Sequence, residues 1–185
     1  MNDFKDITPL IIDPAGHSKA LLRTLLANLG VLEPVAVSRT DEALQSMRTE
    51  AYSIVFCDEM AGPLDPFDFL KALRRDLSTR DVTVPVVLVS VAADLTKIKY
   101  ARDVGFNDVI AKPVSAGTIE RKLQSLLKAP RPFVTAKAFV GPDRRGRSGD
   151  ERRQFGERPA GEDRRGHGKA SVFTVAPRVE TEERT

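Results

Sequence analysis

This chain of 185 residues has one cysteine (Cys57), no tryptophan, two tyrosines and two histidines. A lone cysteine excludes a disulfide framework and a Cys/His zinc module. No apolar run approaches the roughly 20 residues a membrane-spanning helix needs. The opening MNDFKDITP also lacks the apolar stretch of a secretory signal. A cytoplasmic protein without membrane insertion is expected. A dominant charge is missing too: 29 Lys+Arg stand against 26 Asp+Glu, for a net +3.

The charge is unevenly divided. Residues 1–130 hold 16 Lys+Arg and 17 Asp+Glu, whereas residues 131–185 hold 13 and 9. A near-neutral globular part thus carries a basic tail, which points to an anionic partner for the tail. The nine interleaved acids argue against a binder of long nucleic acid, which gains from unbroken positive charge.

Residues 7–128 alternate between two periodicities. Short apolar runs read as buried strands: Leu10-Ile11-Ile12, Val35-Ala36-Val37, Ile54-Val55-Phe56-Cys57, Val86-Val87-Leu88-Val89 and Val109-Ile110-Ala111. Helical stripes separate them. Leu21, Leu22, Leu25, Leu26 and Leu29 form the first, closed by Gly30. Thr40-Asp41 opens a second with Ala43, Leu44 and Met47. Phe67, Leu70, Leu73 and Leu77 form a third. Ile98, Ala101 and Val104 form a fourth, closed by Gly105, and Ile119, Leu123, Leu126 and Leu127 the last. Five β/α units with strands buried on both faces predict a parallel five-stranded sheet covered by helices. Sites in such α/β folds lie outside the carboxyl ends of the strands. Cys57, inside a strand, reads as a small core residue, and His17 as a solvent-facing residue at a helix start.

Four polar residues fall at those strand ends: Asp13, Asp58, Ser90 and Lys112. Two carboxylates (Asp13 and Asp58) can hold a hard divalent cation with waters. A hydroxyl and an ammonium beside them can bind phosphoryl oxygens, a set suited to phosphoryl transfer onto one Asp. The segments Leu10-Ile11-Ile12-Asp13, Ile54-Val55-Phe56-Cys57-Asp58, Val86-Val87-Leu88-Val89-Ser90 and Lys112-Pro113 resemble the receiver domain of CheY-like response regulators. That resemblance implies a (βα)5 flavodoxin-like fold over residues 1–130. It also implies Asp58 as phospho-acceptor, Ser90 as switch hydroxyl, and Lys112 as the phosphate-binding lysine before a cis peptide at Pro113. Two positions depart from the family pattern. Pro14 stands where a second acid is usual, so Mg2+ binding is expected to be weakened. Val109 stands where a switch aromatic is usual.

After Leu127 the composition changes. Ala129-Pro130-Arg131-Pro132 ends the last helix, and residues 131–185 include seven glycines with no helical or alternating run. They are expected to be largely disordered until a ligand orders them, with Phe133, Phe139 or Phe155 available to pack on the receiver. One unit occurs there three times: Gly141-Pro142-Asp143-Arg144-Arg145, Gly149-Asp150-Glu151-Arg152-Arg153 and Gly161-Glu162-Asp163-Arg164-Arg165. Residues 141–170 hold eight Arg against the single Lys169. An Arg fork grips a phosphate or a guanine O6/N7 edge in two places and stacks on flat rings. An adjacent acid can accept from guanine N1–H and the amino group. A small ligand with two guanines and two phosphates uses every part of the unit, and cyclic di-GMP is that ligand.

A receiver followed by such a tail is similar to the Cle group of CheY-like proteins. The resemblance implies a non-enzymatic effector whose tail binds cyclic di-GMP and whose bound form docks on the flagellar motor switch, at the flagellar pole, to control motility or surface attachment. It carries ligand contacts to Asp143, Arg144, Arg145, Arg147, Arg152, Arg153, Asp163, Arg164 and Arg165. Three readings compete. In one, a histidine kinase phosphorelay acts through Asp58 and the tail is inert. In another, the arginines bind RNA or DNA nonspecifically, with steep salt dependence. In the last, the tail is a solvated linker whose Arg–acid neighbours satisfy one another.

Overall fold

The structure, a computed structural model, describes residues 4–128, 132–136, 139–143 and 171–173. Its first part is five β/α units: β1 (Pro9–Ile12), α1 (Gly16–Asn28), β2 (Val35–Val37), α2 (Thr40–Thr49), β3 (Ile54–Asp58), α3 (Pro66–Arg75), β4 (Val86–Ser90), α4 (Leu95–Val104), β5 (Asp108–Ala111) and α5 (Ala116–Leu123). The strands form one parallel sheet in the order β2-β1-β3-β4-β5. This is the five-stranded α/β fold the sequence predicts.

Successive side chains of a strand point to opposite faces, and here they build two cores. Leu10, Ile12, Val55, Cys57, Val86 and Leu88 face α2, α3 and α4, where Ala43, Met47, Phe69, Leu70 and Leu73 meet them. Ile11, Ile54, Phe56, Val87 and Val89 face α1 and α5, against Leu22, Leu26, Ile119 and Leu123. The three central strands are therefore apolar at nearly every position. Helix boundaries follow local chemistry. Asp65 caps α3 by accepting from the Phe67 and Asp68 N–H groups, with Pro66 at the first helical position. Gly105 ends α4 in a left-handed conformation (φ 119°), which a Cβ disfavours.

The helical stripes differ from the sequence reading at their edges. Leu77 lies beyond α3 and is 92% exposed, while Phe69, which the stripe omits, is fully buried. On α1 only Leu22 and Leu26 are buried, and Leu21 is exposed. α3 ends two residues before Leu77, so extending its period overshot the helix. The helical backbone of α5 continues through a π turn (Gln124–Lys128) that buries Leu126.

The larger difference is in the tail. Residues expected to lack regular structure supply three short strands, β6 (Phe133–Ala136), β7 (Phe139–Pro142) and β8 (Ser171–Phe173). They form an antiparallel sheet with β6 in the centre. Each run is only three or four residues, too short to show an alternating pattern in the sequence. Of the three tail aromatics available to pack on the receiver, Phe133 does so: its ring is buried over the Arg74 guanidinium, 5.1 Å from ring centroid to Cζ. The backbone of Phe139 lies in β7, and Phe155 lies outside the described residues.

Candidate functional site

The ends of β1, β3 and β5 meet at the carboxyl edge of the sheet. Asp13 follows β1, and its backbone N–H donates to the Val37 carbonyl, continuing the ladder one residue beyond the strand. Its Oδ1 accepts from the Ala15 N–H at 2.7 Å, which turns the chain into α1. Asp58 ends β3 and is buried, its Oδ1 accepting from the Met60 N–H at 2.9 Å. Lys112 follows β5. Its N–H donates to the Ser90 carbonyl, and a cis peptide joins it to Pro113. A second cis peptide, Gly62–Pro63, was not foreseen from the sequence.

These placements leave one oxygen of each carboxylate facing the same ammonium. Lys112 Nζ lies 2.5 Å from Asp58 Oδ2 and 3.3 Å from Asp13 Oδ2. Apart from that ammonium, Asp58 Oδ2 has no hydrogen-bond partner among the described residues. Burial works to lower the Lys112 pKa, but the two carboxylates outweigh it and the pKa is raised. Lys112 also donates to Ser18 Oγ on α1 at 3.0 Å. The site opens into a cavity of about 340 Å³ whose further walls include Leu21, Leu22 and Val114. Two carboxylates and one ammonium leave it with a formal charge of −1.

Ser90 is not part of this group. Its hydroxyl donates to Glu59 Oε2 at 2.7 Å and accepts from Lys97 Nζ at 3.1 Å. Lys97 pairs with Glu59 at 2.6 Å, and the Val91 N–H donates to Glu59 Oε1 at 2.5 Å. Burial opposes ionisation of Glu59, yet Lys97, Ser90 and Val91 together hold its pKa down to about 2. Sequence reasoning missed Ser18, Glu59 and Lys97. Glu59 and Lys97 are 38 residues apart, and only the fold brings α4 beside the end of β3. Val109 is half-buried against the core on the α2–α4 side. Cys57 is buried, and burial raises the pKa of its thiol, which suits a core residue.

For a divalent cation, the fit rests on the two Oδ2 oxygens that converge on one ammonium position. Asp13 and Asp58 are the carboxylates able to share a cation there, and Pro14 supplies none. Among the described residues, no cluster of three His, Cys, Asp or Glu side chains is placed to hold a metal.

Of the tail candidates, Asp143 is half-buried just after β7, its N–H donating to the Pro132 carbonyl at 2.7 Å. Arg144, Arg145, Arg147, Arg152, Arg153, Asp163, Arg164 and Arg165 lie outside the described residues.

A parallel α/β sheet thus carries an acid–acid–lysine cluster at its carboxyl edge. Residues 10–124 match the model of the response regulator receiver domain, and the chain belongs to that family. A "Probable transcriptional regulator ycf27" of Pyropia yezoensis is 25% identical over 127 residues, 69% of this chain and 50% of the relative. A second, of Porphyra purpurea, is 26% identical over 64% of this chain and 46% of its own length. The chain thus spans about half the length of these relatives. Among solved structures, the chemotaxis response regulator CheY4 of Vibrio cholerae superimposes with a TM-score of 0.59 at 20% identity, over 65% of this chain and 98% of that one. The receiver domain of a sensor histidine kinase of Pseudomonas aeruginosa, which has a magnesium ion coordinated in its active-site cleft, gives 0.56 at 20% identity, over 64% and 94%. No helix among the described residues is long and apolar enough to cross a membrane.

Proposed function

We propose that this chain is a cyclic di-GMP-binding receiver-domain effector, in which the arginine units of the tail capture the ligand and the bound form docks on the flagellar motor switch to control motility or surface attachment. The observation that carries the reading is the threefold five-residue unit of Gly, any residue, an acid and two Arg, with eight Arg to one Lys over residues 141–170, joined to a receiver. Arg pairs supply phosphate and guanine contacts, and Asp143 and Asp163 supply acceptors for guanine N–H groups. The receiver's own site supports a shift of input toward the tail. It has Pro14 in place of an acid, Val109 in place of an aromatic, and a Ser90 hydroxyl engaged by Glu59 and Lys97.

A second reading is favoured by Asp58 Oδ2, which meets the Lys112 ammonium and has no other hydrogen-bond partner among the described residues. Here the chain takes a phosphoryl group from a histidine kinase. Asp58 Oδ2 forms the new bond to phosphorus as the bond to the donor breaks, Lys112 turns from the carboxylates to the phosphoryl oxygens, and the tail is inert. A cation held by Asp13 and Asp58 would supply further charge neutralisation.

One calorimetric comparison separates the two. Cyclic di-GMP is titrated into the intact chain, Asp58→Asn, and Arg144→Ala/Arg145→Ala. The first reading expects saturable binding by the first two and a loss of at least tenfold in affinity for the arginine variant. Absence of binding by the intact chain contradicts it and leaves Asp58 as the input.

A further inference from the structure

Arg74, in the last turn of α3, is a buried cation for which the phospho-acceptor site has no use. No carboxylate pairs with it among the described residues. Its Nη1 donates to the Val82 carbonyl at 2.5 Å, and its Nη2 reaches Asn107 Oδ1 at a long 3.4 Å. Its Nε has no hydrogen-bond partner there. Burial lowers its pKa to about 9, with the nearby charge of Asp81 acting the other way, so it stays charged at neutral pH. A buried guanidinium with incomplete hydrogen bonding is costly unless something compensates. What covers it is the Phe133 ring of β6, a cation–π contact.

That contact lies at the amino-terminal edge of the receiver sheet. Val82 precedes β4, and Asn107 precedes β5 and locks the two strands together: its Oδ1 accepts from the Val86 N–H at 2.9 Å, and its own N–H donates to the Val86 carbonyl at 2.8 Å. Phe133 is also the register partner of Pro142 in β7 and of Phe173 in β8. Both neighbours of β6 thus meet at the residue that touches the receiver. In sequence, residues 143–170 run from the end of β7 to the start of β8, so the arginine-bearing segment leaves from and returns to the sheet that Phe133 docks.

We propose that the Arg74–Phe133 contact is a releasable lock between the receiver and the tail sheet, through which occupancy of the arginine-bearing segment alters the amino-terminal edge of the receiver. Undocking returns the guanidinium to water, which offsets much of the lost contact. A ligand with different affinity for the docked and undocked states shifts the balance between them. The ligand-dependent half rests on the proposed function; the lock itself does not.

The test is hydrogen–deuterium exchange on the full chain, Phe133→Ala and Phe133→Tyr, each with and without cyclic di-GMP, with calorimetry in parallel. The Arg80 N–H donates to the Met47 carbonyl and the Thr83 N–H to Asp81 Oδ1, on either side of Val82 in sequence. Without ligand, Phe133→Ala is expected to speed exchange at least tenfold in β6, in β7 and at Arg80, Thr83 and Asn107, while β1 and β3 keep their protection. Phe133→Tyr, which keeps the ring, is expected to match the native chain. Native rates at Arg80, Thr83 and Asn107 in Phe133→Ala overturn the lock, as does equal loss of protection in β1 and β3, which would mean general unfolding. With ligand, the native chain is expected to change exchange at those three amides and Phe133→Ala is not, though both bind. Ligand binding without that change overturns the coupling. Absence of binding overturns the proposed function and with it the coupling, while the ligand-free comparison still decides the lock.

Discussion

Glu59 follows Asp58 directly, yet it serves a different cluster. Its carboxylate takes the Ser90 hydroxyl, the Lys97 ammonium and the Val91 N–H together. Its folded pKa, about 2, lies below the ordinary 4.5. The contribution of these contacts is therefore complete above about pH 4.5 and is lost as pH falls toward 2, because protonation removes the charge that Lys97 pairs with. Allowing for solvent screening, Glu59→Gln is expected to lower stability by on the order of 1 kcal/mol at pH 6. The deficit should shrink on acidification, as read by urea denaturation at pH 6 and pH 3. A deficit independent of pH would mean that the packing of Glu59, not its charge, matters. At this scale the sequence was legible where a residue's place along a strand fixes its position. Asp13, Asp58 and Lys112 were found that way and come together. Ser18, Glu59 and Lys97 were not found, because each acts through a neighbour brought up by tertiary folding.

Among the elements, α3 has the most to do. Its first turn is set by Asp65, its middle buries Phe69, Leu70 and Leu73, and its last turn carries Arg74 to the tail. Asp65 Oδ1 satisfies two N–H groups that the helix itself leaves unpaired. Asp65→Ala is expected to cost about 1 kcal/mol in thermal or chemical denaturation, and Asp65→Asn or Asp65→Ser less. Equal losses for all three would place the effect elsewhere than in the cap. The strands were readable because burial on both faces makes them continuous apolar runs bounded by polar residues. The helices were readable at their centres and less so at their ends: Leu77 continues the apolar period of α3 beyond the residue where the helix stops. β6, β7 and β8 left no trace in the sequence, since each run is only three or four residues long.

For the whole molecule, the two ends of the receiver sheet are differently equipped. The carboxyl edge holds the acid–lysine cluster, and the amino edge holds the tail sheet. Strand β4 joins them, beginning at Val86 beside Asn107 and ending at Ser90, across roughly 13 Å of strand. On the proposed function, the arginine units read guanine as well as negative charge. The measurement that tests it most directly is calorimetric titration of the intact chain, at near-physiological salt, with cyclic di-GMP and separately with cyclic di-AMP. The two ligands share a phosphate ring and differ in the base edges offered to Arg and Asp side chains. The account predicts saturable binding of cyclic di-GMP at least tenfold tighter than cyclic di-AMP, with modest sensitivity to salt. Equal affinity for both, falling steeply as salt rises, would mark a nonspecific polyanion contact and contradict the claim.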